Sequence, residues 1–149
     1  MVHGAQAALD PAEDRLQVAL GVLRGAGLRC TPRRIAVLRA LIEAGEHLSL
    51  AQITERLRLA DGDADFSTTW RTVLTLEELG LVHALRSEAT PIYGVADQPH
   101  SHALCRGCGK VAELPAGRLE MAIGQIEQVS GFSMDGGSLL ATGTCPDCS

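Results

Sequence analysis

Apolar positions recur with a helical period four times before Gly80. Leu16, Ala19, Leu20 and Leu23 form one stripe, and Ile35, Leu38, Leu41 and Ile42 a second. Ile53 and Leu57 begin a third, and Val73, Leu74, Leu76 and Leu79 make a fourth. Each has its punctuation. Asp10-Pro11 and Thr31-Pro32 place a capping side chain before a proline at the first helical position. Ser49 and Gln52 have capping-box spacing, and Ser67 is the expected cap of the fourth helix. Gly25, Gly45 and Gly80 are the expected stops.

Past Gly80 the period shortens. Residues 81–85 and 92–95 read as two strands joined by a polar turn ending at Pro91. Short helices followed by a β-hairpin predict a winged helix-turn-helix. The third helix, the acidic 61–65 loop and the fourth helix would form its DNA-reading unit, with the hairpin as the wing. Beyond Asp97-Gln98-Pro99 the pattern predicts a strand over 102–105, a cysteine turn and a strand over 110–114. A helix over about 116–130 and a last strand before Cys145 follow. The expected fold class is α+β, with a winged-helix domain at 1–96, a hinge at 97–99 and a small α/β domain at 100–149.

Composition narrows the classes. The chain has 149 residues, 46% hydrophobic and 21% charged, which is too apolar for a disordered chain. Every apolar run falls short of the ~18 residues a membrane span needs. The first ten residues hold no basic segment leading into an apolar run, so a cytoplasmic protein without a membrane partner is expected. A net charge of −5 argues against nucleic acid until its distribution is considered. No acid lies between Asp14 and Glu43, whereas Arg15, Arg24, Arg29, Arg33, Arg34 and Arg39 all do. A local basic face on an acidic chain is therefore compatible with DNA.

Four of the five cysteines fall in two CxxC pairs, Cys105–Cys108 and Cys145–Cys148. Each pair can form a turn presenting two thiolates to one ion, and two such turns complete a closed tetrahedral zinc site of structural type. Gly107, Gly109 and Pro146 suit such turns. A redox pair is the rival, but Cys105–Cys108 leads into a strand rather than a helix that would lower a thiol pKa. Cys30 stands apart. His100 and His102 alternate onto one side of an extended segment, a geometry for sharing one ion. Glu113 offers an oxygen, and His47 and His83 lie in the N-terminal half. A metalloenzyme would need a nucleophile or an HExxH-type base beside these donors, and neither is present. A zinc-stabilised interaction module without DNA is the remaining rival.

Taken together, these motifs resemble the ferric uptake regulator family over about residues 16–148. They comprise Gly27 to Arg34, His47 to Ser49, Ser67 to Thr72, Leu79 to Val82, His100 to Lys110, Gly131-Phe132 and the last CxxC. The resemblance implies a homodimeric, metal-dependent transcriptional repressor, not an enzyme, on double-stranded operator DNA, with the C-terminal module as its dimerisation domain. It implies structural Zn2+ on Cys105, Cys108, Cys145 and Cys148. A second, regulatory divalent ion would take His47, His100, His102 and Glu113. His83 matches a ligand position of the zinc-uptake branch. Ser67, Thr68, Thr69, Trp70 and Arg71 would face bases, and Arg29, Arg33, Arg34 and Arg86 phosphates.

Three departures matter. Thr68-Thr69-Trp70-Arg71 stands where the family usually has Thr-Val-Tyr-Arg, so an altered operator preference is expected. Gly94 stands where iron, manganese and peroxide-sensing relatives have an Asp or Glu ligand, and Asp97 or His83 would fill that vacancy. An accessory site of some members is not expected, because Pro99, Ser101 and Gly137 replace its ligands and only Glu120 survives. Zinc is the preferred regulatory ion, with iron, manganese or peroxide sensing as the alternatives.

Overall fold

The computed structural model describes residues 10–86, 90–97, 100–115, 117–134 and 139–149. Two compact units divide the chain, Met1–Asp97 and Gln98–Ser149. Of the expected hinge, residues 98 and 99 lie outside the described residues, as does Gly137.

The first unit holds α1 (Pro11–Gly25), α2 (Pro32–Ala44), β1 (Leu48–Ser49), α3 (Leu50–Asp61), α4 (Phe66–Glu78), β2 (Val82–Leu85) and β3 (Ile92–Val95). The caps explain the boundaries. Asp10 accepts from the Ala12 amide, Thr31 from the Arg34 amide, and both bonds of the Ser49–Gln52 capping box form. Gly45 ends α2 with φ +62°, a left-handed turn that costs glycine little. Removing the capping hydroxyl in Ser49→Ala is expected to destabilise this unit by about 1 kcal/mol, read as an earlier urea midpoint with unchanged slope.

The fourth helix starts earlier than expected. Its cap is Asp65, not Ser67: the Asp65 carboxylate accepts the Thr68 amide at 2.8 Å, placing Phe66 as the first helical residue. Hydrogen bonding by Thr68 holds the Asp65 carboxyl below its ordinary value. The stability it contributes is therefore present above the ordinary carboxylate value and lost as pH falls through the lowered one.

The helical stripes meet in one core. Leu16, Leu23, Val37, Leu38, Leu41, Ile53, Val73 and Leu76 are buried, and Val82 and Tyr93 seal it from the sheet side. That sheet runs β1-β3-β2, all antiparallel, with Leu48 opposite Tyr93 and His83 opposite Gly94. At two residues, β1 is too short for a period to reveal it.

The second unit holds β4 (His100–Cys105), β5 (Val111–Pro115), α5 (Glu120–Ser130) and β6 (Leu140–Gly143). β4 is central, antiparallel to β5 and parallel to β6. α5 begins at Glu120 rather than near 116: Pro115 closes β5, Gly117 turns at φ +88°, and Leu119 takes the cap position without a side-chain bond. None of its residues is buried. Among the described residues no helix is long and apolar enough to cross a membrane.

Candidate metal centres and nucleic-acid interface

In the second unit, Cys105, at the end of β4, turns through Cys108, and Cys145–Cys148 turns just after β6. The pairing Cys105↔Gly143 brings the two turns together, and Lys110 Nζ meets Asp147 at 3.2 Å. The four sulfur atoms lie within 4.8 Å of one another, with Cys108 Sγ 3.6 Å from Cys145 Sγ, and none is in a disulfide. Zinc–sulfur bonds of about 2.3 Å in a tetrahedron put sulfurs about 3.8 Å apart, so the donor set fits such an ion. The amides of Cys145 and Gly107 point at Cys105 Sγ, each at 3.3 Å. Hydrogen bonding led by the Cys145 amide pulls the Cys105 thiol down to about 6. Cys148, crowded by the sulfurs of Cys145, Cys108 and Cys105, is pushed up to about 12. A divalent cation among the four would remove that repulsion. No helix follows Cys108, so the dipole a redox pair needs is absent there. Cys30 lies apart, with its thiol 3.6 Å from the Leu20 carbonyl.

The histidines of this unit are set by the strand period. His100 and His102 share one side of β4, ring centroids 4.5 Å apart, and His102 is buried. Glu113 of β5 is the register partner of His102. Between the histidines, Ser101 faces the other way, its hydroxyl accepting the Leu139 amide at 3.1 Å.

In the first unit, His47 just precedes β1 and His83 lies on β2, yet their Nε2 atoms approach to 2.6 Å. That separation is a hydrogen bond between the two rings, and sharing one tetrahedral zinc, with zinc–nitrogen bonds of about 2.0 Å, would open it to about 3.3 Å. Asp97, read as an alternative ligand, is engaged by Arg15 of α1 through two bonds, at 2.5 and 3.0 Å.

On α4, Phe66 and Trp70, four residues apart, stand on one face at 53% and 47% exposure, with Ser67 and Arg71 also exposed. Thr69 does not join them. It is fully buried (0%), its hydroxyl donating to the Asp65 carbonyl, so it belongs to the core and not to a base-reading face. A cap at Ser67 would leave Phe66 outside the helix, whereas the Asp65 cap makes it the first helical residue and puts it on this face. The arginines read as phosphate contacts hold bonds within the first unit: Arg33 donates to the Asp63 carbonyl, Arg34 to the Arg29 carbonyl, and Arg86 twice to Glu77. Arg29 is exposed at the approach to α2.

The first unit thus carries an exposed aromatic and arginine face on α4, and the second a cluster of thiol and imidazole donors. The ferric uptake regulator family matches residues 25–140, and the chain belongs to that family. It is 29% identical over 131 residues to the ferric uptake regulation protein of Campylobacter jejuni, covering 85% of this chain and 83% of that protein. It is 28% identical over 139 residues to the peroxide operon regulator of Bacillus subtilis, covering 93% and 96%. These relatives are regulators, and the chain is not an enzyme. In fold it is similar to the Helicobacter pylori ferric uptake regulator, with a TM-score of 0.76, 23% identity and coverage of 94% and 95%. It is also similar to a zinc uptake regulator complexed with zinc and DNA, with a TM-score of 0.64, 27% identity and coverage of 94% and 96%.

Proposed function

We propose that this protein is a zinc-responsive, homodimeric repressor that acts on operator DNA in the cytoplasm and controls metal-uptake genes. The observation that carries the zinc assignment is the approach of His47 Nε2 to His83 Nε2, which supplies two nitrogen donors from the winged-helix unit. His100, His102 and Glu113 are the donors we assign to the same regulatory ion from the second unit, and Cys105, Cys108, Cys145 and Cys148 hold a structural zinc. Likeness to a zinc uptake regulator bound to zinc and DNA supports this reading. Glu113, a hard oxygen donor, favours iron or manganese as the second reading.

Donors spread over both units make ion affinity depend on how the units are arranged. The ion then favours the DNA-competent arrangement by the difference between its two affinities. Trp70, Ser67, Thr68 and Arg71 approach bases, where the indole offers a flat apolar face to a thymine methyl. Arg29, Arg33, Arg34 and Arg86 contact phosphates, the last three after exchanging their present partners.

Gel-shift titration on promoter DNA, with zinc and with a chelator, tests the reading. Zinc-dependent retardation is expected. His100→Ala should lose the dependence, and failure to bind promoter DNA under either condition would remove the repressor assignment. Arg71→Ala is expected to weaken specific binding by about 1–3 kcal/mol and relax the preference at one base. Arg34→Ala should weaken binding to all sequences and reduce the salt slope by about one.

A further inference from the structure

The glycine at position 94 is not required by its backbone. Gly94 lies within β3, and its φ is outside the left-handed region where glycine alone is comfortable. Space is what requires it. A Cβ there would lie 2.5 Å from His47 Nε2, 2.8 Å from Cδ2 and 2.9 Å from Cε1. With three ring atoms inside 3.0 Å, a Cβ at 94 would force the His47 imidazole to move from its present position.

The sheet explains why this matters. β3 is the middle strand, with β1 on one side and β2 on the other. His47 enters from the β1 side, and His83 is the register partner of Gly94 on β2. The two imidazoles reach each other at 2.6 Å beside a strand position that carries no side chain.

We propose that Gly94 is the specificity-determining residue of the regulatory metal site: its bare face admits His47 beside His83, giving this unit two nitrogen donors and biasing the sensor towards zinc over manganese. The inference rests on His47 and His83 serving as ligands, as assigned above. Imidazole donors suit zinc, nickel and cobalt, whereas carboxylate oxygens suit manganese, so replacing the pair with a carboxylate narrows the preference. Gly94 acts through His47 and does not itself touch the ion.

The test uses the full chain with its cysteine-held zinc retained and weaker-held metal removed by mild chelation. Zinc and manganese affinities are measured by competition with a chromophoric chelator for the native protein, Gly94→Ala, Gly94→Asp, His47→Ala and the His47→Ala/Gly94→Ala double variant. Gly94→Ala is expected to weaken zinc binding roughly tenfold or more, the size of effect seen when a ligand's support is lost. Gly94→Asp should lower the zinc-to-manganese affinity ratio by a comparable factor. The double variant should bind zinc as His47→Ala alone does, because the methyl then has nothing to displace. In metal-free protein, the imidazole 15N signals of His47 and His83 should shift in Gly94→Ala.

Native zinc affinity in Gly94→Ala would overturn the proposal. So would an undiminished penalty in the His47→Ala background, which would mean that the methyl acts on the fold and not on the ring. Zinc binding that ignores His47→Ala would overturn the ligand assignment and the proposal together. The repressor reading is judged separately by the gel shift: DNA binding indifferent to metal would refute it while leaving the affinity ratios to decide the role of Gly94.

Discussion

Cys105→Ser is expected to release the tightly held zinc and unfold the second unit, abolishing DNA binding even when zinc is added back. Among the four cysteines this one is buried, and its sulfur receives the amides of both Gly107 and Cys145. It therefore joins the two CxxC turns even before an ion is considered. The unit has little else to hold it. Among its described residues the buried side chains are Cys105, Ser101 and His102, and α5 adds none. A module this small, without a substantial apolar core, draws its stability from metal or from a partner. Structural zinc contributes on the order of 10–16 kcal/mol of binding free energy in small zinc-folded domains, more than the whole stability of an ordinary domain. Elemental analysis should show one zinc fewer per chain than the native protein, and circular dichroism should show loss of strand and helix from this unit alone. A Cys105→Ser protein that keeps its zinc and its fold would show that the cysteines do not form the stabilising centre. Cys30→Ser is the matched control, and its zinc content should be unchanged.

The helices were legible because capping chemistry is local. Asp10, Thr31 and Ser49 each bond to an amide two or three residues ahead, so the sequence window contains the whole interaction. The fourth helix shows where that logic gives out. Asp65 and Ser67 are both competent caps, and only tertiary packing, which buries Thr69 and Val73 against the core, selects Asp65. The same packing removes Thr69 from the face it would share with Trp70. The cysteine cluster was readable from spacing, since each CxxC closes its own turn. The pairing of His47 with His83 was not. It depends on β1, a two-residue strand, and on β3 lying between them with Gly94 at the contact, none of which leaves a period in the sequence. In the folded sheet, Gly94 leaves the space that the His47 imidazole occupies. Basic residues were likewise visible as a run between Asp14 and Glu43, but their bonds to Asp63, Arg29 and Glu13 are long-range or backbone-directed and invisible to charge counting.

Val129→Asp is expected to convert the protein from dimer to monomer at micromolar concentration. α5 exposes Met121 at 81% and Val129 at 88%, and Phe132 follows just past Gly131 with its ring also in the open. A helix that buries none of its side chains fully, with only Ala122, Ile123 and Glu127 partly covered, gains little for the chain that carries it, because helical stability in proteins comes mainly from a packed face. An exposed apolar cluster of this kind marks an association surface. With homodimerisation assigned above, a second copy of α5 is the natural occupant. A carboxylate at 129 would have to be desolvated twice across a two-fold interface, once from each copy, without a cationic partner on the helix, since α5 contains no lysine or arginine. Sedimentation equilibrium should therefore give the monomer mass, while the helical content of the first unit and the zinc content of the second stay at native values. Affinity for a two-half-site operator should drop steeply, and affinity for an isolated half-site should not, because what is lost is the linkage between two recognition helices and not the contacts each one makes. A variant that remains dimeric with native operator affinity would place the interface elsewhere on the second unit and leave the bare face of α5 without this role.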